Sequence, residues 1–280
     1  MWTQAQIDYA AALIGRIDSG ERGIFLESVN TEAQAEAKVF PGGVFYSCTA
    51  YKGLRIHVAF ETDTDAFNEE LAALVQSSLK KTNSTNCVIW LWNGNRKIIK
   101  YLKEAFHVTK RGSHYYASIE FIMRRENFRP AVNETLEIRP YEKKRLFTYL
   151  DMLDRSMTFV EPNGPQYRRD FFRHRKRFAE LADNPAFYFE AFWKDGELIG
   201  LYWLKNAEVD TLAVADKQQR KGYGAIILTR AIEMAFQRTD KDYAYLYAVD
   251  WNEKGQSFYK KYGMEQRGHS YCLHIENYRE

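Results

Sequence analysis

One phrase occurs twice in this chain, and it limits the folds the chain can adopt. "CVIWLWNGNRKIIKYLKEAFHVTKRGSHYYASIEF", from Cys87 to Phe121, and "YAYLYAVDWNEKGQSFYKKYGMEQRGHSYCLHIEN", from Tyr243 to Asn277, share one plan. Each runs from an apolar, aromatic strand through Trp-Asn into a short amphipathic helix. Each then passes an Arg-Gly turn into a closing strand with His, Ser and Tyr. Trp92-Asn93 answers Trp251-Asn252, and Arg111-Gly112 answers Arg267-Gly268. Unrelated strand–helix–strand units would share composition but not this order of landmarks, so the pattern points to duplication. A chain of 280 residues is long enough to bury one core per copy without metal or disulfide staples. The boundary is expected in "MRRENFRPAVNET", Met123 to Thr135, which lacks periodicity and holds Pro130. Two domains follow, 1–130 and 133–280.

Composition narrows the function classes. The net charge of +3 is too small to imply a nucleic-acid partner by itself. "MWTQAQIDYAAALIGRIDSG" carries charges through its apolar part and reads as a helix capped by Thr3, not as a signal peptide. Ile7, Ala11, Ile14 and Ile17 fall near one face of it. No run approaches the roughly 20 apolar residues of a membrane span. Cys48, Cys87 and Cys272 show no Cys-x-x-Cys spacing, which suits a reducing cytoplasm. The histidines show no metal-binding spacing, and no metal is expected.

In the second half, "LEIRPYEKKRLFTYLDMLDRSM" reads as a strand and a helix, and "YRRDFFRHRKRFAELADN" as a helix ended by Asn184-Pro185. "AFYFEAFWKDGELIGLYWLKN" is a hairpin turning at Asp195-Gly196. "AEVDTLAV" is a strand that runs straight into "ADKQQRKGYGAI". Ile227, Ala231, Met234 and Ala235 then form one helical stripe. A helix N-terminus exposes unpaired N–H groups and attracts anions, and glycines let a ligand approach the backbone. A dinucleotide fingerprint would need a third glycine where Ile227 stands, and there is no Gly-Lys-Ser/Thr of a P-loop.

The stretch from Val209 through Gln219, Gly222 and Gly224 resembles the acetyl-CoA loop of the GNAT superfamily of N-acetyltransferases, Gln/Arg-x-x-Gly-x-Gly/Ala after a strand. Asp216 stands where many relatives have proline. "WNEKGQSFYKKYGM" resembles the family's next motif, with Gly255 where a better helix former is usual. The resemblance spans roughly Leu136 to Ile275. It implies an α/β (α+β) fold of two GNAT-like domains, each a twisted, mixed, mostly antiparallel sheet flanked by helices. It also implies acetyl-CoA as co-substrate and direct attack by a primary amine in a ternary complex. Cofactor contacts would come from Leu212, Ala213, Val214, Gln219, Arg220, Lys221, Gly222, Tyr223, Gly224, Ala225, Asn252 and Phe258. The N–H around Val214 would face the carbonyl oxygen, Tyr259 would protonate the leaving thiolate, and Glu208 falls where one branch of the family keeps its base. Tyr259 as a packed aromatic, Glu208 as a solvated edge residue and Asn252 as a plain helix cap remain the alternatives.

The matching stretch of the first half, "LRIHVAFETDTDAFNEELAALVQSSLKK", has Asp63 and Asp65 where a phosphate would lie. They suit helix capping, and Lys100 to Leu102 fall where Tyr259 stands in the second copy. The first copy is therefore expected to be degenerate, without coenzyme A, extending the fold and walling the acceptor site. In the basic helix of 167–178, Phe171, Phe178 and Leu181 form an inner stripe, leaving Arg169, Arg173, Lys176 and Arg177 outward. It is either a solvated face or a surface for RNA, a phosphorylated acceptor or an acidic partner. The acceptor is expected to be a small-molecule or peptide amine, with no membrane or nucleic-acid partner. Phe189, Trp193, Tyr202 and Trp203 are candidates for its pocket or for the core. A homodimer stays open. The competing functions are a non-catalytic acyl-CoA-binding scaffold and an RNA-linked tandem aminoacyl transferase.

Overall fold

The computed structural model describes residues 2–50, 53–108, 114–130, 136–157 and 184–278. The chain forms two compact units, Met1–Glu120 with Arg267–Glu280, and Phe121–Gln266. They are cut differently from the expected 1–130 and 133–280, because the last strand returns to the first unit. The basic helix of 167–178 lies outside the described residues.

The first unit begins with α1 (Gln4–Ile14), where Thr3 and Gln6 form a reciprocal capping box. The expected single helix breaks there. Asp18 accepts from the N–H of Glu21 and starts α2 (Ser19–Thr31). β1 (Gln34–Phe40), β2 (Gly43–Ala50) and β3 (Gly53–Phe60) follow as an antiparallel meander. After α3 (Asn68–Thr82), β4 (Cys87–Trp92) lies parallel to β3, and α4 (Arg96–Ala105) leads to β5 (His114–Arg124). The closing strand β11 (Glu265–Ile275) pairs antiparallel with β4, and the strand order is β1-β2-β3-β4-β11-β5. One face of this sheet buries Ile56, Val58, Ile89 and Leu91 against Leu71, Val75, Ile98 and Leu102 of α3 and α4. The other face packs on Ala10, Ile14 and Phe25 of α1 and α2. Arg267 and Gly268 lie inside β11 rather than in a turn. The turn before that strand is made by Gly263, at φ +96°.

In the second unit, β6 (Glu137–Pro140) and α5 (Leu146–Ser156) precede the hairpin of β7 (Phe187–Lys194) and β8 (Glu197–Lys205). Asp195 and Gly196 both have positive φ, as a two-residue hairpin turn requires. β9 (Glu208–Val214) pairs antiparallel with β8, and α6 (Tyr223–Arg238) carries the chain to β10 (Tyr243–Val249) and α7 (Glu253–Tyr262). The sheet order is β10-β9-β8-β7-β6. The predicted stripe of α6 is buried at Ile227, Ala231, Met234 and Ala235. α5 covers the opposite face, over Phe189, Ala191, Trp193, Leu201 and Trp203. Arg125 closes the C-terminus of α6 by donating to the carbonyls of Phe236, Thr239 and Lys241 at 3.1, 2.9 and 3.1 Å.

Candidate active site

β9 and β10 meet at one rung, Tyr245↔Glu208, and then part. β8 stays with β9 to its end, at Gly200↔Val214. The outward edge of β9 beyond Glu208 is therefore released from β10 toward Val214. Between Leu204↔Val209 and Trp203↔Thr211 the register skips a residue, which makes Asp210 a bulge. Its carboxylate accepts from the indole N–H of Trp203 and from Thr211 Oγ1 at 3.2 Å.

The glycine loop stands at the open end. Asp216–Gln218 makes one tight turn, and the Gln219 side chain donates back to the Val214 carbonyl at 3.2 Å. Arg220 and Gly222 then take positive φ, +63° and +86°. At Gly222 it is this conformation, not crowding, that requires glycine, since an added Cβ would meet nothing within 4 Å. Gly222 is also the N-cap of α6, so no side chain caps the helix, and its first turn holds no acid. Among the described residues, none of the backbone N–H groups from Arg220 to Gly224 donates to a protein acceptor. Lys217, Arg220 and Lys221 are exposed around them, with one acid, Asp216. Lys194 of the hairpin places its amine 3.5 Å from Tyr223 Oη. This donor set fits a phosphate ester.

α7 closes the site. The Phe258 ring lies 3.5 Å from where a Gly224 Cβ would stand, and Val214 Cγ2 lies 3.7 Å from the same point. The rings of Phe258 and Tyr259 have centroids 5.4 Å apart, and Tyr259 packs against Phe121 at 5.4 Å. Burial pushes the Tyr259 phenol up to about 12. Asn252 caps α7 by accepting from the Gly255 N–H at 2.9 Å. Its side chain lies so close over the helix that a Cβ at Gly255 would fall 2.4 Å from Asn252 Nδ2, which accounts for the glycine.

The structure thus brings together Val214, Gly222, Tyr223, Gly224, Ala225, Phe258 and Tyr259, with Leu212 and Ala213 on the same strand. Glu208 stands apart from them, at the closed end of the splay, about 20 Å from Val214 at the usual strand rise. Phe189, Trp193, Tyr202 and Trp203 are core residues, each at most 5% exposed. Sequence reading missed Glu190, a buried acid in the apolar "AFYFEAFW". It accepts from Tyr188 and Tyr202 at 2.6 Å each and from Arg230 of α6 at 3.0 Å twice. Its signal was a lone charge at an inward strand position.

Residues 148–264 match the family model described as the acetyltransferase (GNAT) family. They form a GNAT acetyltransferase domain. Over the whole chain the fold is similar to a GCN5-related N-acetyltransferase from Sphaerobacter thermophilus, 13% identical, covering 99% of this chain and 95% of that one at a TM-score of 0.56. It is also similar to one from Kribbella flavida, 13% identical, with 95% of each chain covered and a TM-score of 0.55. A tandem GNAT protein from the clavulanic acid biosynthesis pathway matches at 9% identity, with 98% and 96% covered and a TM-score of 0.55. The family match supports acyl transfer in general, and the mixed sheets flanked by helices are those of the GNAT fold. No helix among the described residues is long and apolar enough to cross a membrane.

Proposed function

We propose that the GNAT domain is an N-acetyltransferase that uses acetyl-CoA and transfers the acetyl group to a primary amine of a small molecule or peptide, both substrates being bound together. The observation that carries this reading is the released edge of β9 beside the bared N–H groups of the glycine loop. Acetyl-CoA, when bound, supplies an acyl thioester and a pyrophosphate. The N–H groups of Arg220 to Gly224, backed by Arg220 and Lys221, would hold the pyrophosphate. The freed N–H groups of β9, around Val214, are donors for a carbonyl oxygen. Tyr259 keeps its proton at neutral pH and can give it to a departing sulfur. From the far end of the splay, Glu208 would receive the amine's proton through water rather than by contact with the carbon held near Val214. The first unit lacks the glycines and, on this reading, takes no coenzyme A.

The test is calorimetric titration with acetyl-CoA of the wild type and of a Gly222→Glu, Gly224→Glu double variant, followed by thiol release with an amine panel. Binding that the variant abolishes, with turnover on an amine, is the expected result. Absence of binding to the folded wild type would sink the reading, and binding without turnover on any amine would favour a scaffold.

A further inference from the structure

The face of the first unit's sheet that packs on α1 and α2 carries polar side chains that a helix–sheet core does not require. β2, β3, β4 and β11 bring Tyr46, His57, Trp90 and Cys272 into register as one cross-strand row. Register partners point to the same side of a sheet. Cys48, Arg55, Val88 and His274 form the next row. Glu21 of α2 reaches both rows: its carboxylate lies 3.0 Å from His57 Nδ1 and pairs with Arg55. Burial pushes the Glu21 carboxyl up, but His57 and Arg55 together more than offset that and leave it below the ordinary carboxylate range.

Several polar atoms in this cluster are enclosed yet make no hydrogen bond: Tyr46 Oη, both ring nitrogens of His57, Arg55 Nε, Trp90 Nε1 and Glu21 Oε2, the last facing His57 Nδ1 at 3.0 Å. Tyr46 and His57 are 1% and 0% exposed. Elsewhere among the described residues such atoms are scattered, on Asn68, Tyr149 and Trp193. Buried polar groups are normally paired, and a cluster of unmade donors asks for an acceptor. The Glu21 carboxylate is already shared with Arg55. The surroundings are aromatic: Phe25 meets Tyr46 edge-on at 5.1 Å, the Arg55 guanidinium lies 5.5 Å from the Trp90 ring, and Trp90 meets Tyr116 at 6.2 Å. Arg55, Trp90, Tyr116 and His274 are only half-buried, so the cluster reaches the surface along them.

We propose that the first unit binds a small organic carboxylate in this cluster. Arg55 Nε and Trp90 Nε1 donate to its oxygens, and the rings of Trp90 and Tyr116 flank its carbon body. His57 stands beside Glu21, its Nδ1 3.0 Å from the carboxylate. The site is independent of the thioester site, lies in the copy that lacks the glycine loop, and gives that copy a ligand of its own.

The experiment is calorimetric titration of the full chain with sodium benzoate and sodium acetate, with sodium chloride as the ionic control. Saturable binding of a carboxylate is expected, weakened about tenfold or more by Trp90→Phe, which keeps a ring but removes the N–H, and by Arg55→Gln. Thermal melts establish that both variants are folded. The Gly222→Glu, Gly224→Glu variant should bind the carboxylate like wild type, whatever becomes of acetyl-CoA. No saturable heat with either carboxylate, equal binding by both folded variants, or loss of carboxylate binding in the glycine-loop variant would each overturn the assignment.

Discussion

β3–β4 of the first unit and β9–β10 of the second are corresponding parallel pairs, and they differ in how far they are zipped. The first pair is registered from Leu54↔Cys87 to Val58↔Leu91, the second only at Tyr245↔Glu208. The residue that caps the following helix has nearly the same backbone in both, φ −86° and ψ 59° at Asn95, φ −83° and ψ 61° at Asn252. Asn95 spends its side chain on the N–H and carbonyl of Phe60, at 3.0 and 3.2 Å, and so stitches the strands shut. Asn252 turns to its own helix and leaves β9 alone. Counted from these caps, Leu102, buried in the core, stands where Tyr259 does. The loop acids complete the contrast, though not as helix caps for α3, whose N-cap position is Phe67 with no side-chain bond. Asp63 instead accepts from the Lys97 N–H of α4 at 2.9 Å, and Asp65 pairs with the Lys97 amine at 3.3 Å. The same strand–helix–strand phrase can therefore be closed into pure core or held open, by the choice of partner for one asparagine and by acids or glycines in one loop.

An open sheet has given up rungs and needs another hold on its helix, which Glu190 and Arg230 provide. Glu190→Ala should cost the second unit about 3–5 kcal/mol in denaturant unfolding, because it breaks a buried ion pair, leaves the buried Tyr202 hydroxyl without its acceptor and leaves Arg230 only Glu233. A loss no larger than that of an average surface change would show that α6 needs no polar anchor. Tyr259→Phe should lower kcat about 100-fold while leaving acetyl-CoA affinity unchanged; an unchanged kcat would make Tyr259 as purely structural as Leu102. Asn95→Ala leaves two buried backbone groups of Phe60 unmade and should cost about 1–3 kcal/mol. Asn252→Ala removes one cap and should cost about 1 kcal/mol. If thermal melts reversed the order of these two, the distinction between stitch and cap would fail. The smallest effect concerns pH. The Glu21 carboxyl is held below its ordinary value, so its contribution is present above the ordinary carboxylate range and is lost as pH falls through the lowered one. Glu21→Gln should flatten the acid limb of the melting temperature against pH, and an unaltered limb would remove Glu21 from the account.

Local signals carried much of this fold. Thr3 with Gln6, Asp195-Gly196, the α6 stripe and the strand–helix–strand phrase each state their structure within a few residues, because caps, turns and periodicity are short-range. The break after Ile14 was less legible, since Ile17 continues an apolar spacing although the chain has already turned toward Asp18. The Trp-Asn pairs set Asn93 against Asn252, whereas the helix caps match Asn95 with it. In the site, the glycine loop and Tyr259 were readable as motifs. Glu190 and Phe121 were not, because Arg230 reaches the first, and Tyr259 the second, only across the fold.

The sequence by itself determined the loop, the helix it opens and the family of residues 148–264. Those depend on backbone conformations that particular residues permit, such as the positive φ at Gly222. Tertiary structure alone decided that β11 completes the first unit's sheet, that Asn95 closes one strand pair while Asn252 leaves the other open, and that Tyr46, His57 and Trp90 stand in one row. Those outcomes depend on which distant atoms satisfy a hydrogen bond or share a register, and no spacing along the chain encodes that choice.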